Sequence, residues 1–419
     1  MADGRRRDLD GTFIGDAARV RDDHCLVRLD VGDEVHELMP AVEADADRLS
    51  ALLTDAGPQR EQRAIDWACR DCEYTAPGPA GRSGFQECWG ALGDRRPEIF
   101  DLFSLGTVKA DGERLADRLI AQGRTRLADV DPALLVRTDG TPGPTNQRQL
   151  IQLHYTPRGE AWVSPDLRAV LDRWTYPLHF IDFETSALAV PYHAGMAPYE
   201  QVAFQWSCHT IAEPGATPVH HEWLNRTEAY PNEDFASTLR ETIGDTGTPF
   251  MWATHERTVL RKIGEQLRRY GRGSDDLVGW CERMGDKDQG HLIDLNAVCR
   301  QHFFHPAMGG RTSIKKVLDA LWSHDAVMRD RFTAWTGLAA PDGDPYAALP
   351  PVVFGDEALV VADGTGAMTA YQEMLYGATR HDEARNAAWA DLLKAYCKLD
   401  TMAMVLIWDH WRRRVDARA

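Results

Sequence analysis

Positive charge is what this chain has least of. Lys and Arg number 47 against 64 Asp and Glu, a formal net charge of -17 over 419 residues. A protein that grips nucleic acid with its whole surface needs the opposite balance, so that class is excluded, while a groove that is basic only locally is not. Long apolar runs are missing as well, which leaves no membrane-spanning helix and no expected membrane partner. Cysteine is sparse, with eight residues spread along the chain, so a disulfide-built scaffold is excluded. Without a signal-peptide pattern, a reducing cytoplasm is the expected compartment. No internal repeat is found, and the length suits two domains with their own cores or one large domain with an N-terminal appendage.

What the chain does have is two acidic segments set some two hundred residues apart. The first reads His179-Phe180-Ile181-Asp182-Phe183-Glu184-Thr185. Apolar residues before and between the acids predict a short buried strand, on which Asp182 and Glu184, two apart, project from one face. The second, Ala395-Tyr396-Cys397-Lys398-Leu399-Asp400-Thr401, lies in a run from Ala384 to Trp411 that has no Gly or Pro and predicts a long helix. Tyr396 and Asp400, four apart, share a face of that helix. Three carboxylates and a phenol converging from two elements suit phosphoryl chemistry, in which two hard divalent cations about 4 Å apart clamp the attacking and leaving oxygens.

These two segments resemble the first and third motifs of the DEDD superfamily of 3′-5′ exonucleases, whose fold is RNase H-like, and the Tyr-x-x-x-Asp spacing resembles its Tyr-containing branch. The resemblance implies two Mg²⁺ or Mn²⁺ ions held by Asp182, Glu184 and Asp400, with Tyr396 orienting the attacking water, and DNA or RNA 3′ ends as partners. The second motif departs from the pattern. The family places an Asp after a strand, and here Pro249-Phe250-Met251-Trp252-Ala253-Thr254-His255-Glu256-Arg257 offers Glu256 in that role. Acids at a helix start are also favoured by the dipole alone. Asp294 competes for the same role, and the resemblance makes it a residue that shapes the site without holding metal. Thr312-Ser313-Ile314-Lys315-Lys316 resembles the Ser-Leu-Lys helix start of such domains, with Ser313 as the cap and Lys315 meeting phosphate or solvent.

The order of elements fits an α/β fold with an RNase H-like mixed sheet flanked by helices. Strands are expected at Val202 to Ile211, Val219 to Leu224 and Pro249 to Ala253, with helices at Glu233 to Ile243 and Arg257 to Arg269. Gly337 to Pro351 reads as a surface loop, and the sequence does not place it against the substrate groove. Trp206, Trp223 and Trp252 lie in predicted strands and are expected in the core. Arg257, Arg261, Lys262, Arg268, Arg269 and Arg272 form one basic cluster, and Arg311, Lys315 and Lys316 another. Either could hold phosphates, Arg257 and Lys315 foremost, or form a solvated face. Arg412, Arg413 and Arg414 are expected only to complement the last helix dipole.

A second cluster reads Trp67-Ala68-Cys69-Arg70-Asp71-Cys72, then Ser83-Gly84-Phe85-Gln86-Glu87-Cys88-Trp89. Cys-x-x-Cys with a third Cys sixteen residues on has metal-ligand spacing, and thiolates favour zinc or an iron-sulfur cluster over hard ions. This arrangement ahead of an exonuclease-like region resembles a bacterial family that joins an iron-sulfur, RecB-like nuclease segment to such a domain, which implies a [4Fe-4S] cluster on Cys69, Cys72, Cys88 and one upstream Cys. Cys25 is the upstream candidate, and His24, Cys25 or His36 could instead complete a zinc site. The RecB-like Asp and Glu-x-Lys motifs are not recognisable in residues 1 to 60, so a shortened member or a late-starting reading frame is expected and no RecB-like activity is carried over. Pro97 to Leu135 predicts short helices turned by glycines, and Thr138 to Asn146 a linker.

The expected organisation is therefore a Cys-cluster region at 1–95, a helical connector at 96–164 and an exonuclease domain at 165–419. Two rival readings stand beside it. One is a catalytically degenerate nucleic-acid-binding protein, motivated by Glu256 in place of Asp; the other is a scaffold or sensor organised by the Cys cluster.

Overall fold

Leu178–Ser186 forms the central strand of a five-stranded sheet, β1. The computed structural model describes residues 29–54, 57–58, 64–75, 81, 83–93, 97–136, 140–288, 291–349, 351–354, 357–359, 361 and 363–417. The chain divides into two units, Met1–Ala64 and Ile65–Ala419. The described part of the first unit contains a helix, Gly32–Ser50, with no buried residue, and a two-stranded hairpin.

In the second unit β1 pairs antiparallel with β2 (Val202–Ile211), which pairs antiparallel with β3 (Val219–Leu224). On its other side β1 pairs parallel with β4 (Thr248–Met251), and β4 with β5 (Ile293–Asp294). The spatial order is β5-β4-β1-β2-β3, a mixed sheet. The parallel pairs need crossovers, which helices supply. Those helices are α1 (Asn232–Ile243) between β3 and β4, then α2 (His255–Tyr270) and α3 (Asp275–Gly285) between β4 and β5. Gly247 admits β4 beside β1: its φ is +89°, and a Cβ there would lie 2.1 Å from the Pro177 carbonyl oxygen.

Side-chain alternation gives the sheet two unlike faces. Ile181 and Phe183 of β1, with Trp206, Cys208 and Met251, pack against Phe235, Leu239, Leu260 and Ile263 of α1 and α2, an apolar layer. Phe180, Val202, Phe204 and Phe250 point the other way. They meet the elements after β5: α4 (Leu295–His302), α5 (Ile314–Trp322), α6 (Ala326–Thr336), α7 (Gly364–Tyr376) and α8 (Glu383–Asp416). Asp182 and Glu184 share this second face with Phe180. Helix α8 runs 34 residues because nothing in it breaks a helix, and Asp382 caps its start by accepting from the Arg385 amide at 3.0 Å.

The connector belongs to the second unit. The helix Pro144–Tyr155 begins inside the stretch expected as a linker, because Gly143-Pro144 is a helix start and not a break. Its Gln149 and Gln152 amides donate to the Phe103 and Asp101 carbonyls, both at 2.6 Å. Buried Arg148 donates to the Phe303 carbonyl just beyond α4. Short helical turns from Ile99 to Leu135 enclose a small core of Ile99, Leu102, Leu115 and Leu119. Trp206 and Trp252 are buried, and Trp223 packs half-buried on the apolar face.

Candidate metal centre

The central strand and the last long helix bring the two acidic segments together. One ligand atom from each of Asp182, Glu184 and Asp400 lies within 4.8 Å of the others, a spacing at which one ion can be shared. Among the described residues no other trio of His, Cys, Asp or Glu meets that condition. Asp182 stands opposite Ser207 of β2, and Glu184 opposite Gln205. The register slips just after Glu184, where Thr185 pairs with Ala203 and Phe204 is skipped. Such a bulge turns two successive side chains to one face. Phe204 and Gln205 both meet the α8 side, and the Gln205 amide donates to the Leu393 carbonyl at 3.0 Å.

Polar contacts fix the rotation of α8 on the sheet. Thr401 Oγ1 hydrogen-bonds Ser207 at 2.9 Å and His209 Nδ1 at 2.8 Å. One turn back, the buried Cys397 thiol donates to Asp182 Oδ2 at 3.2 Å. With Leu393, Cys397 and Thr401 against the strands, the neighbouring positions Tyr396 and Asp400 are set beside the acids of β1.

Glu256 is buried in the first turn of α2, outside the tight trio but electrostatically part of the site. The charges of Asp182, Asp294 and Asp400 push its carboxyl up, after burial as the main cause. Its Oε2 is buried without a hydrogen-bond partner. Asp294 is used differently: its Oδ1 accepts from the Ala253 amide at 3.0 Å and from Ala297 at 3.1 Å, capping α4 and pinning the loop before Glu256. Ala253 takes a positive φ of 73° there, a strained conformation for a residue with a Cβ.

The cluster strains electrostatically as well. Burial and mutual repulsion push Asp182, Glu184 and Glu256 well above the usual carboxylate range. Burial raises Asp400 to about 6, opposed by hydrogen bonds from Tyr346 and Tyr396 and by the Lys315 charge. Burial also pushes the Tyr396 and Tyr346 phenols up, so both stay protonated donors. Such shifts accumulate where a site is built for charge it does not itself contain.

Two features at this site, Tyr346 and the start of α7, were not singled out in the sequence, and a third, Lys315, was. Tyr346, in the loop after α6, is buried and donates to Asp400 Oδ1 at 2.5 Å. Lys315 Nζ lies over two phenol rings, 4.9 Å from that of Tyr346 and 5.0 Å from that of Tyr396, and its charge acts on Asp182, Glu184 and Asp400. The N-terminus of α7 also abuts the acids, since a Cβ on Gly364 would lie 4.0 Å from Glu184 Oε2. Lys315 was expected to meet phosphate or solvent, whereas Tyr346 lay in a stretch read only as a surface loop.

The remaining expected residues are placed elsewhere. Arg257, half-buried on α2 next to Glu256, lines a surface pocket of about 440 Å³ with Arg261 and Lys287. Arg261, Arg268 and Arg269 pair with Glu265, Glu282 and Glu200, the solvated-face arrangement. Ser313 is the N-cap residue of α5, but its side chain makes no capping hydrogen bond. Arg412 and Arg413 do more than complement a dipole, contrary to expectation: they pair with Asp172 and Asp325, which neighbouring elements bring against the helix end. Cys69 and Cys72 are half-buried against the small connector core, and Cys88 is exposed on the helix Gly84–Trp89. Their sulfur atoms do not form a close trio. His36 is exposed on Gly32–Ser50, and His24 and Cys25 lie outside the described residues.

Residues 179–313 match the family model of a domain of unknown function (DUF2779). That span, about a third of the chain, takes in all five strands with Asp182, Glu184 and Glu256, and stops short of Lys315, Tyr346, Tyr396 and Asp400. No curated protein and no solved structure matches the chain. No helix among the described residues is long and apolar enough to cross a membrane.

Proposed function

We propose that this chain is a metal-dependent phosphodiester hydrolase of the DEDD kind, removing nucleotides from the 3′ end of DNA or RNA. The observation that carries the reading is the convergence of Asp182, Glu184 and Asp400 within 4.8 Å, with Tyr396 one helical turn before Asp400. The sheet supports it. A strand order of β5-β4-β1-β2-β3, with β2 alone running against the rest, suits an RNase H-like fold, with the paired acids on the central strand.

The donor set fits a hard cation. It is all oxygen, it is buried, and the unpartnered Oε2 of Glu256 is a buried acceptor awaiting a positive group. Asp182, Glu184, Glu256 and Asp400 would hold two Mg²⁺ or Mn²⁺ ions. Bound there, such ions would supply Lewis-acid polarisation of the phosphoryl group and would lower the pKa of the attacking water. The chain's own residues do the rest. Tyr396, kept protonated by burial and one helical turn from Asp400, would orient the attacking water with its phenol. Lys315 adds positive charge facing the phosphate, and its position over the Tyr346 and Tyr396 rings restricts where the ammonium can sit. The metal-binding acids account for part of the negative net charge, so a nuclease reading and a charge of -17 are compatible.

The test is direct. The purified chain is incubated with 3′- and 5′-labelled single-stranded DNA and RNA, with and without Mn²⁺, beside Asp182→Asn. A ladder shortening from the 3′ end, absent without metal and in the variant, is the expected result. Retained binding with no cleavage of either polymer would overturn it in favour of a degenerate binding protein.

A further inference from the structure

Asp400 is contacted by a group that neither acidic segment contains. Tyr346 reaches it from a loop 54 residues earlier in the chain, and the contact is short, 2.5 Å from the phenol oxygen to Oδ1. O–H···O⁻ bonds of that length are the strong, charge-assisted kind. Both partners are buried, at 7% and 6% exposure, so water does not compete for the bond. The loop is anchored for the purpose. The Trp322 indole donates to the Pro341 carbonyl at 3.0 Å, and Asp344 Oδ1 accepts from the Tyr346 amide at 3.0 Å, so the approach of the ring is set from both sides.

We infer that Tyr346 is a positioning residue for the metal ligand Asp400, and that the loop after α6 is therefore part of the active site. The inference rests on the metal-site reading above. With Oδ1 held by the phenol, the Asp400 carboxylate is fixed in one orientation toward the acids of β1. A carboxylate that must otherwise be both desolvated and oriented is oriented in advance, as outer hydrogen bonds do in metal sites generally. The same ring forms one wall of the Lys315 cage, so a single side chain fixes a ligand and the site's own cation together. Tyr396 cannot substitute for it. Tyr396 lies on the same helix as Asp400 and moves with it, whereas Tyr346 ties the helix to a separate element.

The experiment is Mn²⁺ binding to the full-length chain, measured by calorimetry or by the electron paramagnetic resonance of free Mn²⁺, for the natural protein and for Tyr346→Phe. Phenylalanine keeps the ring over Lys315 and removes only the hydroxyl. A dissociation constant raised about tenfold, inside the ten- to hundredfold range for loss of such a partner, is the expected result. Thermal melts in EDTA identify a folding defect, and Tyr346→His, which keeps a donor, is expected to recover part of the affinity. Unchanged affinity in Tyr346→Phe would overturn the inference. Failure of the natural chain to bind Mn²⁺ would overturn the metal site and this inference with it. Natural protein that binds Mn²⁺ without cleaving nucleic acid would sink the nuclease reading alone, and the affinity comparison would still decide the role of Tyr346.

Discussion

Helix α8 contributes one acid to each of two acidic groups, Asp400 to one and Asp409 to the other, and the fold treats them in opposite ways. Toward its C-terminal end, Asp325 of the α6 cap accepts from His410 Nδ1 at 2.6 Å and from Arg413 at 2.6 Å, and Arg413 also binds Asp409 at 2.8 Å. Burial pulls the Asp325 carboxyl up, but these bonds more than offset it and hold it below the usual carboxylate range. Burial keeps His410 low, so Arg413 supplies the charge. About three turns earlier, Asp182, Glu184, Glu256 and Asp400 face one another, the Lys315 charge opposes the rise of all but Glu256, and every one is raised. A buried acid with its cation present is architecture. Four acids beside one lysine leave excess negative charge in the fold, the condition that the proposed cations would relieve.

The comparison is broken most severely by neutralising one member of each group. Asp400→Asn should lower the cleavage rate by about 10²–10³ or more, the order for losing one group that stabilises transition-state charge. The same change should raise the melting temperature measured in EDTA, because it relieves repulsion. Asp325→Ala should do the reverse. Leaving Arg413 without its main partner should cost about 3 kcal/mol in urea unfolding, toward the low end for breaking a buried pair because Arg413 keeps some solvent contact. The rate per folded molecule should hold. A destabilised Asp400→Asn chain would mean that the cluster is structural after all.

Acid and metal should sharpen the same contrast. A carboxyl raised in the folded chain is protonated there while the unfolded chain is still ionised, so folding takes up protons. Stability without metal should therefore rise as pH falls through about 6 toward 4, the window between the folded and ordinary values of Asp400, with the other three raised acids acting in the same direction. The gain for Asp400 alone is roughly 2–3 kcal/mol. Below that window the depressed Asp325 works the other way, and stability should fall again as it is protonated. Saturating Mn²⁺ binds only ionised ligands, so it should flatten or invert the slope between pH 4 and 6. Melting curves across pH in EDTA and in Mn²⁺ would show this, and identical slopes would argue that no ion binds among the four acids.

Much of this was legible in the chain because it depends on local pattern. Strands β2 and β3 begin and end where the sequence pattern places them, and α8 spans the run without Gly or Pro. Asp182 and Glu184 could be placed on one face from their spacing alone. Tyr346 could not be assigned, because its meaning lies in a tertiary contact made from an irregular loop. Nor could the roles of Arg412 and Arg413, whose partners Asp172 and Asp325 are 240 and 88 residues away. The division of labour between Glu256 and Asp294 was only half legible. Both follow a strand and open a helix, and what separates them is that Asp294 spends its oxygen on two backbone amides while Glu256 Oε2 is left without a partner.

That last distinction yields the smallest and most selective prediction. Ala253 holds a φ of 73° between β4 and α2, and the Asp294 bond to its amide keeps it there. An L-residue in that region costs about 1–2 kcal/mol, and glycine avoids the cost while adding freedom to the unfolded chain. Ala253→Gly should therefore stabilise the fold by up to about 1 kcal/mol in urea unfolding. If the strain serves to aim Glu256, the same variant should weaken Mn²⁺ binding severalfold, since the turn that carries the ligand becomes looser. A gain in stability with metal affinity intact would make the left-handed turn a tolerated accident of chain direction, and would leave the aim of Glu256 to α2 itself.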